Sequence, residues 1–366
     1  MKTKGIKMLK AVTAVVLTLT ASFCVVWRLP YVIGRGESAA LAAAAFTLTD
    51  GKYRAESGTQ PSQTEPVRQA IASQPSTART EPSTANPDNK KTPDKGGYYD
   101  SFAPHTGEAR YSVAEKTYGA DGTYVSGAYI KNSAGLDVDF NAVLGEPLTF
   151  KVAKNSAEPQ VLIYHTHTGE SYLDEDVDYF YESYYSRTNN NGFNVVAVGD
   201  AIAEGLESRG IKTLHDATVH DSSYNGSYDR SAETVQTDME ENSGIKVVLD
   251  IHRDALGTEE CKVKPVFEYG GKKAAQIMIL SGCDPDNERG FSRWQNNLSF
   301  ALKLQTTAER MFPGMTRPVS FDYFAYNEYI CDGSLLIEVG TDANSIEEAK
   351  YSGELLAQVL AEVLTG

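Results

Sequence analysis

In VLIYHTHTGESY (161–172), His165, His167 and Glu170 follow directly on a run of four apolar or aromatic residues. Two later runs carry the same kind of group. His252 closes the apolar stretch GIKVVLDIH (244–252), and Glu338 lies inside SLLIEVG (334–340). Imidazole and carboxylate are the donors of hydrolytic zinc sites, which take three N/O ligands and leave a fourth position for water. Two histidines and a carboxylate meet that need, and a further carboxylate can accept the water's proton. The expected set is His167, His252 and Glu170 as ligands of Zn2+, with Glu338 as the catalytic base; the alternative for Glu170 is to cap the following segment or bind substrate.

Only one of His165 and His167 is expected to face the pocket. His167, nearer the strand's end and in register with Glu170, is the expected ligand; His165 becomes a supporting or alternative one. Arg253 is expected to pair with a carboxylate near the metal. Asp250 is expected to point away from His252 and to serve the fold. A lone buried acid is costly without a partner or a raised pKa, so Glu338 among apolar neighbours argues for function. His215 and His220 read as surface or satisfied groups. His105, in APHTGEAR, repeats the HTGE of 167–170 without an apolar strand before it and reads as coincidence. The tyrosines of DYFYESYYSRT (178–188) fit either a loop packed over the pocket or an aromatic surface.

The elements that must position these residues alternate in type. Strands are expected at 161–165, 211–216, 244–252, 275–282 and 334–340. Helices are expected at 194–210, 228–242, 296–312 and 346–366, where apolar residues recur at helical intervals. Strands separated by helices imply an α/β fold, a mainly parallel sheet flanked by helices. Ligands of such sheets gather beyond the carboxyl ends of the strands, where His167, His252 and Glu338 all fall.

Ahead of that domain, residues 1–10 carry four lysines and no acid, and no charge follows from Ala11 to Trp27. With Met8 and Leu9 the run reaches the lower limit for spanning roughly 30 Å of hydrocarbon, and the lysines predict a cytoplasmic N-terminus. The expected organisation is a cytoplasmic 1–10, a transmembrane signal anchor at 11–28, a flexible linker at 29–120 and a catalytic domain at 121–366. The linker is rich in Pro, Ser and Thr and too poor in apolar residues to offset its ordering entropy. The expected location is the cell membrane, single-pass, with the domain outside the cytoplasm. A net charge of −15 argues against nucleic acid as a partner. The cysteines Cys24, Cys261, Cys283 and Cys331 include no CxxC pair, which excludes a zinc ribbon or a thioredoxin-type motif.

VLIYHTHTGESY, LDIHRDA and DYFAYNEYICDGSLLIEVGTDANSIEEA, with the anchor and polar spacer, resemble the stage II sporulation protein P family over roughly residues 125–366. More distantly, the chain is similar to zinc-dependent N-acetylmuramoyl-L-alanine amidases, whose first histidine, S-I-H histidine and V-E-x-G glutamate fall on His167, His252 and Glu338. Their middle glutamate has no counterpart in TNNNGFNVV, and Glu170 is the candidate in its place. The resemblance implies an amidase-like fold and a peptidoglycan hydrolase of engulfment. It would cut the N-acetylmuramoyl-L-alanine amide bond and also stem-peptide cross-links, with the sporulation stage II proteins D and M as partners. Two other readings stay open: a metal-free peptidoglycan-binding scaffold, and a zinc carboxypeptidase or endopeptidase acting on stem peptides alone.

Overall fold

The computed structural model describes residues 99–366. The expected cytoplasmic terminus, the anchor at 11–28 and the linker up to residue 98 lie outside the described residues. The described residues form twelve strands, numbered in chain order. Eight make the larger sheet: β2 Thr123–Val125, β3 Ala128–Asn132, β4 Val161–Tyr164, β6 Thr213–His215, β7 Val247–Asp254, β10 Ile277–Gly282, β11 Val319–Asp322 and β12 Ser334–Thr341, in the order β2-β3-β11-β10-β12-β7-β4-β6. The run β12-β7-β4-β6 is parallel, as expected. The sheet reverses at β12–β10, which is antiparallel, and again at β2–β3. Five of its seven pairings are parallel, so the sheet is mainly parallel, as expected, and mixed at those two junctions.

The helices are α1 Phe140–Gly145, α2 Val195–Glu207, α3 Ser227–Glu241, α4 Trp294–Met311 and α5 Ile346–Thr365. The side chain of Asn194 caps α2. Ser345 and Glu348 form a reciprocal capping box at the start of α5, satisfying N–H groups that the first turn leaves without partners.

Side-chain alternation along the strands divides the sheet into two faces. Val247, Leu249 and Ile251 of β7 join Leu335, Ile337 and Val339 of β12 in the main core, with Val198, Ile202 and Leu206 of α2 and Leu356, Val359 and Leu360 of α5. Burying each such side chain contributes about 1.5–3 kcal/mol. The opposite face has a smaller apolar cluster, Leu162, Tyr164 and Val248 under Val235 of α3. Toward the carboxyl end of β7 that face turns polar at Asp250 and His252.

A second sheet, β5-β1-β8-β9, is built from β1 Arg110–Lys116, β5 Tyr179–Tyr181, β8 Cys261–Tyr269 and β9 Lys272–Ala275. It moves the start of folded structure ahead of the expected boundary at 121. The reason is non-local: RYSVAEK, polar when read alone, pairs in parallel with β8 nearly 150 residues later. The tyrosine-rich segment belongs here too. Phe180 packs with Val113, Leu173 and Ala343, flanked by Tyr99, Tyr111 and Tyr184, so Phe180 and Tyr184 of the segment join a third core while Tyr185 stays exposed. His105 stacks on Tyr181 with centroids 4.1 Å apart, within this unit. The acids Glu115, Asp176 and Glu348 all close on one ammonium, that of buried Lys264. Cys261, Cys283 and Cys331 are free thiols.

Candidate functional site

β4 stops at Tyr164, and after His165 the chain turns through residues 166–169. A spacing of two would place His165 and His167 on the same side of an unbroken strand; the turn separates them instead. His165 stays toward α2. Its Nδ1 lies 2.8 Å from the carbonyl oxygen of Ile251, and its Nε2 lies 2.9 Å from Nε2 of His215. Gly199 of α2 makes that pairing possible, since a Cβ there would sit 2.5 Å from the ring of His215 and 2.9 Å from that of His165. Burial pushes the His165 imidazole down to about 3, with His215 adding to the effect. His165 therefore packs behind the site and is not placed as an alternative ligand.

His167 swings toward α3 and meets His252, their ring centroids 5.1 Å apart. Glu170 lies between them, with Oε1 3.5 Å from His167 Nδ1 and Oε2 3.4 Å from His252 Nδ1. Donors at about 2.0–2.1 Å around a tetrahedral zinc ion are separated by about 3.4 Å. Each oxygen of Glu170 lies about that far from one imidazole, one donor atom from each residue lies within 4.8 Å of the others, and all three residues are buried. The chemistry of the set also calls for a cation. Burial alone would neutralise His252, yet the charge of Asp250 and the contact with Glu170 hold its imidazole well above the ordinary value. Burial likewise opposes ionisation of Glu170, but the Arg253 charge and the two histidines keep its carboxyl well below the usual range. These residues fit a divalent metal ion.

Asp250 is the residue that the sequence reading misplaced. Residues 250 and 252 project from the same face of β7, two positions apart, and Asp250 Oδ1 lies 2.8 Å from His252 Nε2. The contact is close but out of line for a well-formed hydrogen bond, and Nε2 has no hydrogen-bond partner. Asp250 also accepts from the N–H of Thr166 at 2.8 Å and from its hydroxyl at 2.6 Å, so it ties β7 to the turn that carries His167. A carboxylate behind a histidine fixes ring orientation and raises basicity at the free nitrogen. The i, i+2 spacing in LDIH was the signal available for it.

Arg253 lies beside Glu170, as expected, but its guanidinium holds backbone carbonyls and not a carboxylate. Its backbone N–H donates to Glu170 Oε2 at 3.2 Å, and its guanidinium donates to the carbonyls of Ser171 at 3.1 Å and Ser186 at 2.6 Å. Arg187, which the sequence did not single out, bonds Asp221 at 2.5 Å and reaches Glu170 Oε1 at 3.4 Å. His220 is buried and satisfied, against the carbonyl of His165 at 2.7 Å and Thr234 at 2.9 Å.

Glu338 sits beside His252 in the parallel ladder of β12 and β7. Its Oε2 is buried with no hydrogen-bond partner. Burial, then the nearby charges of Asp254 and Glu170, push its carboxyl up to about 8, against the opposing pull of His252 and Arg253. The strand ends thus deliver a three-donor cradle and, one strand over, an acid with an unengaged oxygen.

The stage II sporulation protein P family profile matches residues 44–361. The stage II sporulation protein P of Bacillus subtilis (strain 168) is 28% identical over 220 residues, covering 56% of this chain and 50% of that protein. The chain thus spans about half the length of the curated relative it matches. Among solved structures, similarity is found to the N-acetylmuramoyl-L-alanine amidase AmiC2 of Nostoc punctiforme, at 12% identity over 57% of this chain and 96% of that one, with a TM-score of 0.32. The CwlD amidase of Clostridioides difficile, solved in complex with the GerS lipoprotein, gives 14%, 56% and 96%, with a TM-score of 0.33. Ami1 of Mycobacterium smegmatis gives 12%, 58% and 99%, with a TM-score of 0.34.

Proposed function

The chain belongs to the stage II sporulation protein P family, and from that premise we propose that it is a membrane-anchored, zinc-dependent peptidoglycan hydrolase of engulfment. The bond cut is the amide between N-acetylmuramic acid and L-alanine, with stem-peptide cross-links as a second target. The protein works outside the cytoplasm, alongside the sporulation stage II proteins D and M. The observation that carries the hydrolytic reading is the spacing of His167, Glu170 and His252 beside the unengaged carboxyl of Glu338.

His167, His252 and Glu170 would hold the ion, two imidazole nitrogens and one carboxylate. The chemistry supplied by bound zinc is Lewis acidity, which acidifies water and polarises an amide carbonyl. Asp250 orients the ring of His252 from behind, and Arg253 and Arg187 fix Glu170 from two sides. Glu338 takes a proton from the attacking water and passes it to the departing amine nitrogen. Its free oxygen suits it to both transfers. Burial of the cradle limits competing water around it.

The deciding experiment is mass spectrometry of sacculi digested by the full chain, with zinc measured on the same preparation. The expected products are glycan strands stripped of peptide and free stem peptides beginning at L-alanine, with about one zinc per chain. Trimmed peptides still attached to muramic acid would favour a peptidase. No products, with no zinc taken up on reconstitution, would favour the scaffold.

A second outcome follows from the charges. Glu338 and His252 both titrate above their ordinary values in the folded state, so the folded chain binds protons that the unfolded chain has already released. Stability from Glu338 is complete below about pH 4.5 and is lost as pH rises toward about 8; that from His252 is lost above its ordinary value of 6.5. Buried Glu328, also raised, adds the same sign, and His165 and His215, both pushed down by burial, oppose it only around their ordinary value of 6.5. The stability of chelator-treated protein should therefore fall from pH 6 to pH 9, by at most about 1.4 kcal/mol per pH unit for each proton, and its melting temperature should fall with it. Zinc-loaded protein should show a shallower fall, because the cation keeps Glu338 ionised. A metal-free melting temperature that rises over that interval would contradict the charge arrangement.

A further inference from the structure

A line of aromatic rings leads from the cradle to the surface. Tyr228, near the start of α3, meets His167 edge-on with centroids 5.8 Å apart. Tyr326 follows at 6.4 Å from Tyr228, and Phe324 at 5.6 Å from Tyr326. Exposure increases outward: Tyr326 is half-buried, and Phe324 is 46% exposed. On the other side of the cradle Tyr224, 54% exposed, stacks on His167 at 4.8 Å and 16°.

The loop that carries Phe324 and Tyr326 is held at some cost. Tyr326 and Asn327 both lie at positive φ, 42° and 58°, a region that non-glycine residues enter only where the surroundings impose it. The Asn327 amide donates to the carbonyl of Tyr228 at 3.0 Å and to Ser231 Oγ at 3.1 Å. Glu328, fully buried, accepts from the N–H of Gly282 at 2.9 Å. Gly282 leaves the space: a Cβ there would lie 1.7 Å from the carbonyl oxygen of Phe324. The loop is pinned from below, with Phe324 exposed at its tip and Tyr326 half-buried behind it. Exposed apolar rings on a fixed backbone, continuous with a reaction centre, mark a binding surface.

We propose that Phe324, Tyr326 and Tyr228 form a glycan subsite that seats an N-acetylated polysaccharide strand leading into the cradle. This rests on the hydrolase reading and specifies what the enzyme holds beside the scissile bond. The rings are uncharged, and the line opens outward from the half-buried Tyr228 and Tyr326 to the exposed face of Phe324. Pyranose rings present apolar C–H faces that stack on aromatic planes, with polar edges left for water and tyrosine hydroxyls. The successive ring spacings are comparable to the length of one sugar unit.

The test uses the full chain carrying Glu338→Gln, to keep hydrolysis out of the measurement, and a peptide-free probe, the hexamer of N-acetylglucosamine. Calorimetry should show binding, and adding Phe324→Ala should weaken it at least about fivefold, the loss of one exposed stacking contact. A free stem peptide should bind both variants alike. F324W, which keeps a flat ring, should retain the hexamer and report it through a change in tryptophan emission. The proposal is overturned if the hexamer does not bind, if Phe324→Ala leaves its affinity unchanged, or if the stem peptide loses affinity instead. None of these readouts involves bond cleavage, so they separate failure of the subsite from failure of the hydrolase reading.

Discussion

Replacing Glu338 by glutamine should lower the rate of peptidoglycan hydrolysis by about 10²–10⁴-fold, the usual contribution of a positioned acid–base group. Zinc content and melting temperature should stay near those of the parent. The side chain lies beside the donor set without belonging to it, and its Oε2 makes no hydrogen bond, so glutamine fits the space and breaks no contact of that atom. What it loses is the capacity to take up and return a proton. The measurement is the initial rate of soluble product release from sacculi at saturating zinc. Turnover within about threefold of the parent, well inside that expected range, would remove Glu338 from the reaction and leave water activation without a protein base.

The second large effect concerns the metal. His252→Ala should reduce bound zinc to a small fraction of an equivalent and bring hydrolysis to background, because structural and catalytic zinc sites depend on every protein ligand. It also removes the positive partner of two buried carboxylates, Asp250 and Glu170, and breaking a buried pair in this way costs about 3–5 kcal/mol. Should the variant fold poorly, His167→Ala at the mouth of the site provides the same readout, while Asp250→Asn should weaken zinc about 10–100-fold without removing a ligand. Equilibrium dialysis followed by metal analysis decides. A full equivalent of zinc retained by both histidine variants would mean that the ion sits elsewhere or is absent.

Much of this arrangement was legible in the chain itself. An apolar strand that runs into a histidine has few explanations in packing, and two such strands beside a third that carries a glutamate share one rim when they lie parallel. That pattern places His167, His252 and Glu338 together, and Glu170 follows from its spacing of three from His167. What escaped it depends on contacts that no short window contains. The second sheet is invisible because β1 finds its partner β8 across most of the domain. The reversal at β12–β10 leaves no mark in the buried run AQIMILSG, which reads the same in either direction. Asp250 was missed for a simpler reason: the two-residue repeat of a strand puts it on the His252 face. The strained turn at Tyr326 and Asn327 carries no glycine to announce it.

The guanidinium of Arg253 bears on ion choice. One side chain, rooted next to His252, grips the carbonyls of Ser171 and Ser186 while its own amide grips Glu170. Strand and loop are thereby fastened at a fixed separation, and the cage between them cannot dilate. A large cation such as calcium, which needs six to eight oxygens at about 2.3–2.6 Å, finds too few donors in too tight a ring. Discrimination among metals would then come from a residue that touches none of them.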